Sequence, residues 1–115
     1  MDKILLSNKG KILCETLGYV KHGRPIEMDK LDASLTEMGV EHTYNDDYMG
    51  GVQIVVTENG KYRWDAICTP DSYGWNEGLL EVMGKPLLGH GGVMGYRTAE
   101  DVLKMLKGSE THAKP

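Results

Sequence analysis

A chain of 115 residues, 40% hydrophobic and 26% charged, can build one modest core but not two, and lies far from disordered compositions. Its net charge of −4 and pI near 5.5 argue against direct nucleic-acid binding, which needs a basic patch. The carboxylates are spread along the chain, which disfavours a DNA mimic, and no apolar run approaches the roughly 18 residues that cross a bilayer. Met1-Asp2-Lys3 followed by three apolar residues does not make a signal peptide, so a soluble cytoplasmic protein is expected. There is no Phe; seven Met, six Tyr and two Trp are expected to supply the large core side chains.

In chain order, residues 4–20 admit a helix or a hairpin turning at Asn8-Lys9-Gly10. A helix over residues 8–17, with Ser7 as N-cap and Gly18 just past its end, is preferred. Residues 21–26, with Gly23 and Pro25, read as a linker. From Glu27, Met28, Leu31, Leu35 and Met38 recur on one helical face, and Gly39 marks the C-terminus. A short strand is expected over residues 40–44, then a polar turn at Asn45-Asp46-Asp47. Val52, Ile54 and Val56 alternate with Gln53, Val55 and Thr57 up to Asn59-Gly60, beyond which Tyr62, Trp64, Ala66 and Cys68 alternate with Arg63, Asp65, Ile67 and Thr69. Two alternating runs around Asn-Gly predict a β-hairpin. A loop over residues 69–78 leads to a strand near Leu79 to Met83; an irregular stretch over residues 84–92 leads to a last strand from Val93 to Tyr96. Thr98 and Asp101 resemble a capping box opening a helix that Gly108 ends, and residues 109–115 are expected to be a disordered tail.

These elements predict a single α+β domain over residues 1–108: an antiparallel sheet of three to five strands with two or three helices packed mainly on one face. No catalytic residue can be named. The four His show no metal-ligand spacing, and no metal or cofactor is expected. Cys14 and Cys68 sit in apolar patterns and read as buried thiols; Cys68 with His42 or His90 makes only a formal nucleophile–base pair. Asp71 and Glu77 flank a loop, where turn capping accounts for Asp71 equally well. Gly89-His90-Gly91-Gly92 lacks the order of a phosphate-binding loop. The distinctive feature is Tyr73 and Trp75 between turn residues: they anchor a partner or plug the core, and Trp64 extends that surface or belongs to the core.

The order GGVQI, NGKY, SYGWNEGLLEV and VMGYRTAEDVLKML over residues 50–106 resembles a family of small, uncharacterised phage-encoded proteins. Its motifs are mostly turns and caps, so the resemblance implies a shared fold more strongly than a shared activity. It also implies a bacterial host cytoplasm during infection, where accessory proteins often bind host factors. The leading expectation is a non-catalytic phage accessory or anti-defence protein that inhibits a host bacterial protein by occupying a surface. The alternative sequesters a small nucleotide, with Trp75 or Tyr73 stacking on the base and Lys85, Arg97 and the amides around Gly91 meeting phosphate. An enzyme is not expected, and a homodimer through a free sheet edge is possible.

Overall fold

The structure, a computed structural model, describes residues 18–21 and 23–113. The helix expected over residues 8–17, and Cys14, lie outside these residues. The described chain runs β1 (Val20–Lys21), β2 (Arg24–Pro25), α1 (Ile26–Glu37), β3 (His42–Tyr48), β4 (Gly51–Glu58) and β5 (Lys61–Cys68). A 3-10 turn (Trp75–Glu77) follows, then β6 (Leu80–Met83), α2 (Lys85–Leu88), β7 (Val93–Arg97) and α3 (Ala99–Ala113). Strands β3 to β7 form one antiparallel sheet in sequence order, and β1 pairs with β2 in a small ribbon. This is the expected α+β architecture.

The central hairpin forms because Asn59 and Gly60 both adopt positive φ, 54° and 80°, which lets a two-residue turn follow the strand twist. Glu41 braces it, accepting the Thr57 hydroxyl and the Gly60 N–H at 2.9 Å. Alternation then divides the sheet. Val52, Ile54, Val56, Trp64, Ala66, Cys68, Leu80 and Val82 are buried on one face. Met28, Leu31 and Leu35 of α1, Leu87 of α2, and Ala99 and Val102 of α3 cover them. Burying a side chain of this size contributes about 1.5–3 kcal/mol. The core is therefore aliphatic with two Trp; among the described residues Met28 is the one fully buried methionine, contrary to the expected Met-rich core.

Other expectations are corrected. Of the expected linker over residues 21–26, Lys21 belongs to β1, Arg24–Pro25 forms β2 and Ile26 is the first helical residue. Asn45-Asp46-Asp47 lies inside β3, where a register irregularity between Asn45 and Tyr48 accommodates polar residues on an edge strand. The turn comes later, at Met49-Gly50, both at positive φ. Met38 caps α1 instead of extending its buried stripe and is 43% exposed. Beyond it Gly39 donates to Thr36 and Val40 to Leu35, the paired bonds of a Schellman end. The stretch over residues 84–92 contains α2. Gly108 does not end α3, which is helical to Ala113, so residues 109–113 of the expected tail belong to that helix; residues 114–115 lie outside the described set. Among the described residues no helix is long and apolar enough to cross a membrane.

Candidate functional site

All three helices pack on the face just described; among the described residues no element covers the other. Register alignment builds that second face. Thr43, Val55, Asp65, Met83 and Val93 form one row across five strands, and Asn45, Gln53, Ile67 and Glu81 form the next. The Asn45 amide donates to Gln53 at 2.8 Å, and the Gln53 amide donates to Asp65 at 3.2 Å.

Tyr62 joins this face through a bulge. Val56 pairs with Trp64 but Thr57 pairs with Tyr62, so Arg63 is the extra residue and the phase of the strand flips. The alternation expected for Tyr62, Trp64, Ala66 and Cys68 thus holds only for the last three. Tyr62 lies across the sheet, its hydroxyl donating to Asp65 Oδ1 at 2.5 Å and reaching the Met83 carbonyl at 3.3 Å. Burial first, and then the bond to Asp65, hold this hydroxyl well above its ordinary pKa, so it remains a donor. Asp65 is only 5% exposed, and both of these donors are neutral.

The loop before β6 completes the face. The Ser72 hydroxyl accepts the Thr69 amide and donates to the Thr69 carbonyl, closing the turn. Tyr73 then lies over Gly95, where a Cβ would collide with its side chain. The Tyr73 amide donates to Glu81 at 2.9 Å, and its ring stacks on Tyr96 with centroids 6.4 Å apart. Tyr62, Tyr73 and Tyr96 are each more than half exposed, with Met83 and Val93 nearly so. The sequence alone does not single out Tyr62, Met83, Val93 or Tyr96: plain alternation puts Tyr62 in phase with Trp64, and the other three sit in strands where surface and core residues look alike without the register.

Of the residues expected to bind, Tyr73 stands on this surface. Trp64 and Trp75 are core, at 2% and 5% exposure, and offer no ring to a ligand. Lys85 and Gly91 are exposed near the Met83–Val93 end of the β6–β7 pair, whereas Arg97 pairs with Leu80 at the other end. The three strand steps between those ends span roughly 10 Å. Arg97 also donates to the Gly95 carbonyl at 3.0 Å. The residues proposed to meet phosphate therefore do not converge with a stacking Trp. Cys68 is buried opposite Val52, whereas His42 lies opposite Val56, four strand steps or about 13 Å away.

His42 has another engagement. Its two ring nitrogens face the Val40 carbonyl at 2.7 Å and Asp32 at 2.8 Å, joining β3 to α1. Beside it the Tyr44 hydroxyl donates to Asp29 at 2.8 Å, and burial with that bond raises its pKa far above the ordinary value. Two grooves each have a carboxylate similarly engaged. One of about 410 Å³ at the Asn59-Gly60 end includes Glu41, and one of about 640 Å³ between α1 and α3 includes Glu27. Glu41 holds the hairpin turn, and Glu27 accepts the Ala99 amide at 2.8 Å. Among the described residues no cluster of three or more His, Cys, Asp or Glu is placed to hold a metal. No protein-family model, curated protein or solved structure matches the chain.

Proposed function

We propose that this is a non-catalytic binding protein that acts by occupying the surface of a protein partner with the open face of its sheet. The observation that carries this is the gathering of Tyr62, Tyr73, Tyr96, Met83 and Val93, all substantially exposed, on one face of a rigid sheet. Tyrosine side chains lose little entropy when they anchor a contact, methionine adapts its shape to a partner, and a solvent-facing group of this size is the usual mark of an interaction site. That the partner is a host bacterial protein, and the effect inhibitory, follows from the resemblance to phage accessory proteins and from nothing in the geometry. For the nucleotide-trapping alternative, Tyr73 is exposed and able to stack, but Trp75 is core and Lys85 and Arg97 stand at opposite ends of β6, so the partner reading is favoured.

The test is photocross-linking from position 93 in cells of a bacterial host, with Tyr73→Ala and Tyr96→Ala as binding controls. A single stoichiometric partner whose capture both substitutions weaken supports the proposal. Capture that neither substitution changes, or no partner at all, removes it.

A further inference from the structure

We infer that the open face takes an arginine-bearing segment of the partner, with the guanidinium between Asp65 and Glu81 and the tyrosine rings on its flanks; this rests on the sheet-face reading above. The first argument is charge. The strand positions that share this face carry two carboxylates and, among the described residues, no lysine or arginine. A nearly buried carboxylate ordinarily has a cationic partner, because neutral donors return only part of its lost hydration. The described donors to Asp65 are the Gln53 amide and the Tyr62 hydroxyl, and the described donor to Glu81 is the Tyr73 amide. A carboxylate offers about four acceptor positions, so both retain capacity.

The second argument is spacing. Asp65 pairs with Met83 and Ile67 with Glu81, so Asp65 and Glu81 are diagonal neighbours on adjacent strands, roughly 7–8 Å apart. That gap fits one planar, multi-donor cation and leaves two like charges that such a cation would relieve. The third argument is the rim. Tyr62, bonded to Asp65, and Tyr73, whose amide is bonded to Glu81, set exposed aromatic rings beside the two carboxylates, where a cation gains from a ring quadrupole. Arginine suits the site better than lysine because its guanidinium is less strongly hydrated, stacks on rings, and can donate to two carboxylates at once.

The experiment is an NMR titration of the full chain with two synthetic peptides, one alternating valine and arginine and the other valine and glutamate. The expected result is amide shifts clustered at Asp65, Glu81, Met83 and Tyr96 with the arginine peptide alone. Asp65→Asn and Glu81→Gln, each checked for an unchanged spectrum elsewhere, should weaken that binding by about tenfold or more. Equal response to both peptides, or shifts confined to another surface, overturns the inference. So does a dilution-dependent spectrum of the free chain centred on this face, which would make the occupant a second copy. Contacts from Ile4, Leu5 or Leu6 to Met83 would make it the chain's own N-terminal segment and overturn the inference likewise. A partner that cross-links at position 93 but binds Asp65→Asn unchanged overturns the arginine assignment while leaving the sheet-face reading intact.

Discussion

Gly95 shows how one missing side chain makes a surface. Only because it has no Cβ can Tyr73 settle over β7 and stack on Tyr96. Gly95→Ala should push Tyr73 away, costing about 1–3 kcal/mol in urea unfolding, as inserting a methyl into a filled space does. Partner binding should fall with it. Glu41 acts at the same scale through charge. The Thr57 hydroxyl and the Gly60 amide stabilise its ionised form and hold its carboxyl below the ordinary value of 4.5. A depressed carboxyl contributes stability that is complete above the unfolded value and is lost as pH falls through the lower folded one. Urea midpoints should therefore drop as the solution is acidified below about pH 4.5, and Glu41→Gln should flatten that limb while lowering the neutral plateau. Asp101, whose carboxyl is lowered chiefly by the Thr98 amide, contributes to the same limb with the same sign.

At the scale of elements, α1 and α3 are fastened at their N-terminal turns. Thr98 and Asp101 exchange hydrogen bonds at 3.1 and 3.0 Å in a reciprocal cap, and Glu27 of α1 takes the Ala99 amide. Thr98→Ala should cost about 1 kcal/mol and fray the first turn of α3, seen as faster amide exchange there. Leu31→Ala, at a fully buried position between α1 and the sheet, should cost about 2–5 kcal/mol by the same urea measurement. The cap was legible in the sequence because both of its partners lie within four residues of each other. So was the Asn59-Gly60 hairpin, where local backbone preference and alternation agree. Glu27 was not legible, because its target lies 72 residues away. The polar run Asn45-Asp46-Asp47 read as a turn because on an edge strand solvent, not a neighbouring strand, meets the outward side. The bulge at Arg63 left no local signature, and the phase error at Tyr62 followed from it.

For the whole molecule, each of the two sheet edges is interrupted among the described residues. At one, β3 carries an irregularity and an Asp46-Asp47 pair; at the other, the Tyr73 carbonyl takes the Tyr96 amide. Replacing Asp46 and Asp47 with Val and Thr should promote edge-to-edge association, measured as a rise in mass by light scattering. The α+β architecture was legible because each strand lies beside its sequence neighbour, so local hairpins added together give the sheet. Which face stays open was not, since it depends on where three helices land. Both tryptophans ended beneath them, while the large exposed aromatic rings are all tyrosines. The molecule therefore carries two optically separate reporters. Tryptophan emission should be blue-shifted in the native protein and follow unfolding alone, staying constant as a partner docks. Tyrosine absorbance and near-ultraviolet dichroism should register docking while the tryptophan signal is silent.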